Sequence, residues 1–238
     1  MALPKINETL NFTATIPSTG KKIKYRPYLV KEEKILLQAF ESQNIGSIIE
    51  AMCDTISACI DPRSNVDVDN LATFDVEYLF TQLRAASVGE TSTVLVKCSE
   101  CETDNEISVD LSELEVHVEN TDNVVQLTDE ISVEMKYPSY SSLNGDELQN
   151  LNENDAESVI ALLSSSLEAV LTEEERIDVK SQKPDEVKEF LNSLTTAQFQ
   201  KIATFLQNLP ALEKGISFTC ENCGKENETK LRGLADFF

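Results

Sequence analysis

The sequence has no tryptophan, a single histidine and only seven residues each of glycine and proline among 238. With only one histidine in the chain, most acid–base and nucleophile–histidine mechanisms are removed. No apolar run approaches the roughly 18–20 residues that cross a bilayer, and the opening residues MALPKIN contain no apolar core of a signal peptide. With 41% hydrophobic and 26% charged residues, we expect a folded protein of a reducing cytosol with no membrane attachment.

Basic residues are scarce as well. There are 20 Lys and Arg against 42 Asp and Glu, a net charge of −22, which excludes a simple electrostatic nucleic-acid binder. Most of this charge lies between Cys98 and Glu175, where 21 acidic residues face one lysine and give −20. The acidic middle third is either a solvated surface or a docking face for a basic partner protein.

Motifs of enzymes are also missing. The sequence contains no glycine-rich dinucleotide fingerprint, no serine nucleophile elbow and no metalloprotease helix. The pair Gly20 and Lys21 lacks the glycine spacing of a phosphate-binding loop. We therefore expect neither enzymatic activity nor a small-molecule substrate.

The first 90 residues predict a hairpin followed by helices. Alternating polar and apolar residues at 9–16 and 22–26, around the turn residues 17–21, predict a β-hairpin. Apolar residues spaced three and four apart predict amphipathic helices at 31–42, 46–60 and 70–87. On the third helix, the charged residues are interpreted as solvated or locally paired: Asp75, Glu77 and Arg84.

The rest of the chain predicts short strands and then helices. Alternation predicts strands at 93–96, 106–109, 115–118 and 131–135, and the polar composition of 138–154 predicts a loop. Residues 155–208 are predicted to be helical, with Pro184 in a first turn and a capping box formed by Thr195 and Gln198. One apolar stripe is assigned to the first of these helices: Val159, Ile160, Leu163, Leu167, Val170 and Leu171. No repeat of whole units is recognised.

Four of the six cysteines form two C-x-x-C pairs: Cys98 with Cys101 and Cys220 with Cys223. Two intervening residues let both sulfurs of a pair face one tight turn, and two such turns supply a tetrahedral thiolate site. Strand-like segments flank each pair, and Gly224 follows the second. We predict a zinc ribbon with one structural Zn²⁺ per chain. Because 118 residues separate Cys101 from Cys220, this site would close a long loop between distant segments.

Other uses of the cysteines stay open at this point. Catalytic zinc needs an open coordination position, a redox pair usually opens a helix, and disulfides need an oxidising compartment. Cys53 and Cys59 are interpreted as small buried apolar residues. His117 is interpreted as an ordinary strand residue rather than a ligand, since four thiolates complete the site.

Together these patterns predict an α+β protein. Its parts are an N-terminal β-hairpin plus helices, a split four-cysteine zinc ribbon, and a helical excursion between the two knuckles. Each knuckle is the turn that contains one C-x-x-C pair, 98–101 or 220–223. The predicted division is 1–90 for the hairpin and helices, 91–137 with 211–238 for the ribbon, and 138–210 for an acidic loop and helical insertion.

Several segments together resemble a phage family. They are STGKK at 18–22, YRPYLVKEEK at 25–34, FDVEYLF at 74–80, SVGE at 87–90 and GLADFF at 233–238. These resemble the baseplate (hub assembly) protein family of T-even-type contractile-tailed bacteriophages, from end to end of the chain. The segment 138–190 matches least clearly.

The resemblance implies a non-enzymatic morphogenesis protein. It would be a scaffold or chaperone for baseplate hub assembly, acting in the host cytoplasm through contacts with other baseplate or hub proteins. One alternative is a permanent structural subunit of the baseplate in the virion. Another, from a different class, is a zinc-ribbon adaptor protein.

Two groups of residues are candidates for partner binding. Tyr25, Arg26 and Tyr28 form either a binding patch or an ordinary strand edge. The terminal aromatic residues Phe237 and Phe238 are expected either to be buried against the domain or to insert into a groove of a partner.

Overall fold

The fold was analysed in a computed structural model that describes residues 12–116, 118, 123–142 and 156–237. Within these residues the chain forms six α-helices and eleven strands, and the strands are arranged in four small sheets. The predicted mixture of helix and sheet is thereby confirmed. No helix in the described ranges combines the length and the apolar character needed to cross a bilayer.

The N-terminal part contains the predicted hairpin and three helices. Strands β1 (Phe12–Thr15) and β2 (Lys22–Tyr25) pair antiparallel. They pack with α1 (Val30–Ser42), α2 (Ile45–Cys59) and α3 (Thr73–Ser87) around one apolar core. Helix α2 begins where the Asn44 side chain accepts a hydrogen bond from the Ser47 N–H at 2.9 Å, as expected of an N-cap.

A buried carboxylate joins α3 to the hairpin turn. Asp75 is fully buried and accepts hydrogen bonds from the backbone N–H of Ser18, at 2.9 Å, and from the Ser18 hydroxyl. The interpretation of Asp75 as a solvated charge is therefore wrong. Burial raises the pKa of Asp75, and the hydrogen bonds from Ser18, which lower it, only partly offset this.

Two antiparallel hairpins form the second part. The first consists of β3 (Thr91–Lys97) and β4 (Asp104–Asp110), and the second of β10 (Leu212–Thr219) and β11 (Glu226–Arg232). A short strand, β5 (Glu115–Val116), extends the second hairpin along β10. Their shared core comprises Val94, Val109, Leu111, Leu114, Leu212, Leu231 and Phe237.

The third part combines a four-stranded antiparallel sheet with three helices. The strand order is β6 (Val124–Gln126), β7 (Ser132–Met135), β8 (Leu167–Leu171) and β9 (Arg176–Asp178). The helices are α4 (Ala156–Ser166), α5 (Pro184–Ser193) and α6 (Thr196–Gln207). Pro184 opens α5, and Thr195 with Gln198 forms the capping box of α6, both as predicted.

The prediction of helix throughout 155–208 is wrong at β8 and β9. The apolar stripe that continued through Leu167, Val170 and Leu171 belongs to helix α4 only as far as its end at Ser166. Leu167 and Ala169 are both buried, with Glu168 between them less so, as in a strand. In a run this short, however, the apolar pattern fits the helical repeat as well as the alternation of a strand. The strand state depends on β7, whose Glu134 lies opposite Ala169.

This sheet also contains strands from both sides of position 137, where the sequence predicted a boundary. The predicted three-part division stays a prediction. The predicted loop at 138–154 lies outside the described residues from 143 onward.

Candidate metal centre

The two hairpins of the second part are equivalent, with an offset of 122 residues. Each ladder has seven residue pairs, from Thr91 opposite Asp110 in the first hairpin and from Glu213 opposite Arg232 in the second. The backbone hydrogen bonds at the open ends of the two hairpins also correspond. The Leu111 N–H donates to the Glu90 carbonyl, and the Gly233 N–H donates to the Leu212 carbonyl. The chain therefore carries one hairpin twice, a repeat that the sequence analysis did not recognise.

The tips of both hairpins have the same hydrogen-bonded turn. The N–H of Cys98 donates to the Thr103 carbonyl at 2.9 Å, and that of Cys220 to the Lys225 carbonyl at 2.8 Å. Each first cysteine also accepts a bond through its carbonyl, from Glu102 at 3.0 Å or from Gly224 at 2.9 Å. These last two residues have positive φ, 56° and 73°, a conformation that suits glycine.

The two tips bring the four predicted ligands together. The sulfur atoms of Cys98, Cys101, Cys220 and Cys223 all lie within 4.8 Å of one another. Across the two hairpins, the Sγ–Sγ distance is 3.7 Å from Cys98 to Cys223 and 3.6 Å from Cys101 to Cys220. A tetrahedron with Zn–S bonds of about 2.3 Å has S–S edges of about 3.8 Å. The donor set therefore fits a four-thiolate metal site in both chemistry and size.

The geometry argues against two of the alternatives for these cysteines, the disulfides and the redox pair. A disulfide needs sulfurs about 2.05 Å apart, and all six cysteines are free. Neither pair opens a helix, because each lies between two strands of a hairpin. Cys53 and Cys59 are buried in the N-terminal core, as predicted, and burial raises the pKa of each thiol to about 11.

Local hydrogen bonds favour the thiolate form on the first knuckle. The bond between Cys101 Sγ and Thr103 Oγ1, at 3.3 Å, is the main cause that lowers the pKa of Cys101 to about 6. Backbone N–H groups of Cys101 and Glu100 lower the pKa of Cys98. A backbone bond from Lys225 lowers the pKa of Cys223, but Cys101, burial and the other two thiols outweigh it and raise that pKa to about 12. Four adjacent sulfurs resist full deprotonation unless a cation shares the site.

Two residues of this site were not predicted from the sequence. Asn105 and Asn227 follow the first cysteine of each pair by seven positions, and both are buried. The signal was present in the sequence, because CSECETDNE at 98–106 and CENCGKENE at 220–228 share C-x-x-C-x-x-x-N-E. The N-terminal candidates for partner binding lie elsewhere in the fold.

Tyr25 and Arg26 are both buried within the N-terminal part. The Arg26 guanidinium donates to Glu32 Oε1 at 2.9 Å and to the Ala58 carbonyl at 3.0 Å. Tyr28 is half-buried, and its backbone N–H donates to Ser87 Oγ. A partner-binding role for this group stays a prediction, and in the structure these residues contact their own chain.

Phe237 is fully buried in the core of the hairpin pair, and its carbonyl accepts a hydrogen bond from Ser92 Oγ at 2.9 Å. Of the two options for the terminal aromatics, this residue adopts burial against its own chain. Phe238 and His117 lie outside the described residues. Partner binding by Phe238 stays a prediction.

Comparison with known proteins gives one match. A family model described as T4 bacteriophage base plate protein matches residues 8–238. No curated protein and no solved structure matches significantly. The match covers nearly the whole chain, including both cysteine pairs. The chain therefore belongs to the family of T4 bacteriophage base plate proteins.

Proposed function

We propose that this chain is a non-enzymatic assembly protein of the phage baseplate, acting as a scaffold or chaperone for the hub. The family match over residues 8–238 carries the proposal, because membership implies a structural role alongside other baseplate proteins. The chain would act in the host cytoplasm during assembly. A permanent place in the virion baseplate is the competing version of the same role.

The surface of helix α1 supports a function through protein contacts. Val30, Leu37 and Phe40 are spaced seven and three residues apart, so they share one side of the helix. Their exposed fractions are 64%, 56% and 43%. Large apolar side chains grouped on a surface are typical of a protein interaction site, and the acidic middle third adds a field that would speed encounter with a basic partner.

The four cysteines supply the proposed structural support. We propose that Cys98, Cys101, Cys220 and Cys223 hold one Zn²⁺ per chain, because their sulfurs have the spacing of a tetrahedral site. Four thiolates leave no open position for water, so the metal would contribute folding energy rather than catalysis.

Quantitative mass spectrometry of virions and of isolated assembly intermediates distinguishes the two versions of the role. We expect peptides of this chain in intermediates and none in finished tails. A stoichiometric signal in finished tails would make the chain a permanent subunit. Absence from both would contradict the baseplate proposal altogether.

A surface variant tests the proposed contact side of α1. Leu37→Glu should leave the stability within about 0.5 kcal/mol of the wild type, since the side chain is exposed, while reducing the yield of complete tails. The matched control is Gln38→Glu, which adds the same charge at the neighbouring exposed position. Equal tail yields for both variants would argue against this side of α1.

Metal analysis tests the zinc site separately. Purified protein should contain about one zinc per chain, and Cys98→Ser should lose it. Protein purified without metal supplementation, but fully folded and free of zinc, would exclude a structural zinc site and leave the assembly role untouched.

A further inference from the structure

We propose that Asn105 and Asn227 are positioning residues that join the two knuckles and orient their thiolates, so that the site is assembled before metal enters it. The proposal rests on the proposed zinc site for its effect on metal binding. The joining of the knuckles does not depend on metal and can be tested without it.

The two asparagines exchange contacts reciprocally between the hairpins. Asn227 Oδ1 accepts from the backbone N–H of Ser99 at 3.0 Å, and Asn105 Oδ1 accepts from the backbone N–H of Glu221 at 3.0 Å. Ser99 and Glu221 each directly follow the first cysteine of a pair. Each hairpin therefore supplies a side chain that fixes the tip of the other, the reciprocal pattern of a two-fold interface.

The second half of each amide binds its own hairpin. Asn105 Nδ2 donates to the Thr103 carbonyl at 2.8 Å, and Asn227 Nδ2 donates to the Lys225 carbonyl at 2.9 Å. Thr103 and Lys225 are the residues whose carbonyls also accept from the first cysteines. Every amide thus has its oxygen on the opposite tip and its nitrogen on its own tip, which ties the two turns to each other.

This arrangement requires an asparagine. An aspartate keeps the acceptor but loses the donor, and an alanine removes both. The two side chains are 2% and 6% exposed, so water cannot replace the missing partners at little cost. The joined residues are 116 and 128 positions apart in sequence. Their proximity otherwise depends on the metal, a small core, the pairing of β5 with β10 and a hydrogen bond from Asn222 Nδ2 to Thr103 Oγ1 at 3.2 Å.

The two asparagines are not fully equivalent. Asn227 Oδ1 also accepts a hydrogen bond from the Ser99 hydroxyl at 2.8 Å. Asn227 Nδ2 also lies 3.5 Å from Cys98 Sγ, whereas the further neighbour of Asn105 Nδ2 is the Val96 carbonyl at 3.4 Å. An N–H directed at a thiolate alters the electron density that the sulfur gives to a metal. Replacement of Asn227 should therefore change the metal spectrum more than replacement of Asn105.

The first experiment measures zinc affinity of the full chain by competition with a chelator. Asn105→Ala and Asn227→Ala should each weaken zinc binding on the order of 10–100-fold, as is typical when an outer hydrogen-bond partner is lost. The control is Asn70→Ala, an exposed asparagine in the N-terminal part that bonds Asp67. Affinities of the two variants equal to that of the control would overturn the positioning role.

Cobalt substitution separates positioning from general stability. The charge-transfer band of the Co²⁺-loaded protein should shift in Asn227→Ala and stay close to the wild-type position in Asn105→Ala. Asn227→Asp, which keeps the acceptor for Ser99 but loses the donor to Cys98, should show the shift while retaining part of the affinity. An unshifted band in both Asn227 variants would contradict the proposed contact with the sulfur.

Hydrogen exchange of the metal-free chain tests whether the knuckles are joined without metal. The amides of Ser99 and Glu221 should be protected in the wild type. Asn227→Ala should remove protection at Ser99, and Asn105→Ala at Glu221, while amides of α2 keep theirs. Unprotected tips in the metal-free wild type would overturn the proposal. Protected tips in a wild-type chain that binds neither zinc nor cobalt would refute only the zinc site.

Discussion

The N-terminal part and the pair of hairpins bury their side chains in different ways. In the N-terminal part, 18 buried residues between Ala14 and Leu83 form one core from a continuous stretch of chain. In the hairpin pair, seven buried residues come from two stretches, 94–114 and 212–237. The first part folds within one continuous stretch of chain, whereas the second must bring together segments whose nearest core residues, Leu114 and Leu212, are 98 positions apart.

This difference indicates where each part obtains its stability. Local apolar burial offsets the entropy of a continuous stretch as it forms. A seven-residue core offers less burial, and closing the long loop between the hairpins adds a further entropic cost. We therefore expect the stability of the hairpin pair to depend on its cysteine site and on the two asparagines, and that of the N-terminal part not to.

We expect the largest effect on the stability of the hairpin pair from replacing one of the four clustered cysteines. Cys220→Ser should abolish zinc binding and destabilise the hairpin pair by several kcal/mol, since metal binding energy contributes directly to folding, about 10–16 kcal/mol in small zinc domains. Hydrogen exchange should show reduced protection in β3, β4, β10 and β11, with the amides of Ser99 and Glu221 still partly protected and the protection of α1 to α3 unchanged. Treatment with a strong chelator should reproduce this pattern.

Cys53→Ala is the matched control for that variant, because Cys53 is a free cysteine buried in the N-terminal core. It should retain all zinc and leave the hairpin pair protected. If the serine variant at position 220 also unfolded α2, the two parts would share one cooperative unit and the comparison would be broken.

A core truncation should produce the opposite regional pattern. Leu83 is almost fully buried in the N-terminal core, so Leu83→Ala should cost about 2–5 kcal/mol through lost burial and a cavity. Zinc content should remain about one per chain at temperatures where the variant is folded. Urea unfolding followed by far-UV circular dichroism measures the loss, and metal analysis checks the site.

A smaller effect is expected from the left-handed residue of the first knuckle. Glu102 has φ 56° where the second hairpin has Gly224. Glu102→Gly should stabilise the hairpin pair by roughly 0.5–1 kcal/mol, because relief of left-handed strain exceeds the added entropy of an unfolded glycine. Thermal unfolding of the zinc-loaded protein measures the gain.

Gly224→Ala gives the converse measurement. A Cβ atom at this position would meet no atom within 4 Å, so the expected loss of about 1 kcal/mol comes from the backbone conformation alone. Stabilisation by this alanine would show that the two knuckles do not share the turn described here.

The smallest expected effect is a pH-dependent difference in stability caused by Asp75 in the N-terminal part. Burial raises the pKa of Asp75 in the folded state, so the folded state binds a proton at Asp75 more tightly than the unfolded state does. The free energy of unfolding that this proton contributes is lost as the pH rises through the folded pKa. Asp75→Asn should therefore be more stable than the wild type at pH 7, with a difference that shrinks toward pH 4. Urea unfolding across this range measures it, and a difference independent of pH would contradict the assignment.

Elements with strong local patterns were predicted well from the sequence. The first hairpin, helices α1 to α3, and the starts of α5 and α6 follow from period, capping residues and proline position. Strand β8 was not predicted, because its five apolar-rich residues fit the helical repeat as well as strand alternation. Pairing with β7 selects the strand. Asp75 was misjudged for a related reason, since its partner Ser18 lies 57 positions away.

The metal site divides in the same way. Spacing within each C-x-x-C pair predicted that the four cysteines cluster, because this spacing reflects the geometry of a single turn. The asparagines repeat at one spacing as well, but their role depends on which hairpin tip each amide reaches. Contacts across 116 and 128 residues, to Glu221 and Ser99, cannot be read from either turn alone.

The sequence by itself determined the local turns, the helix ends, the four thiol donors and the charge of the acidic middle third, because each depends on neighbours within a few residues. Only the tertiary structure decided that the two hairpins are copies in the same register, that Asn105 and Asn227 reach across to the opposite tip, and that β8 is a strand. These features are set by pairing between distant segments, whose energy depends on proximity that the order of residues does not specify.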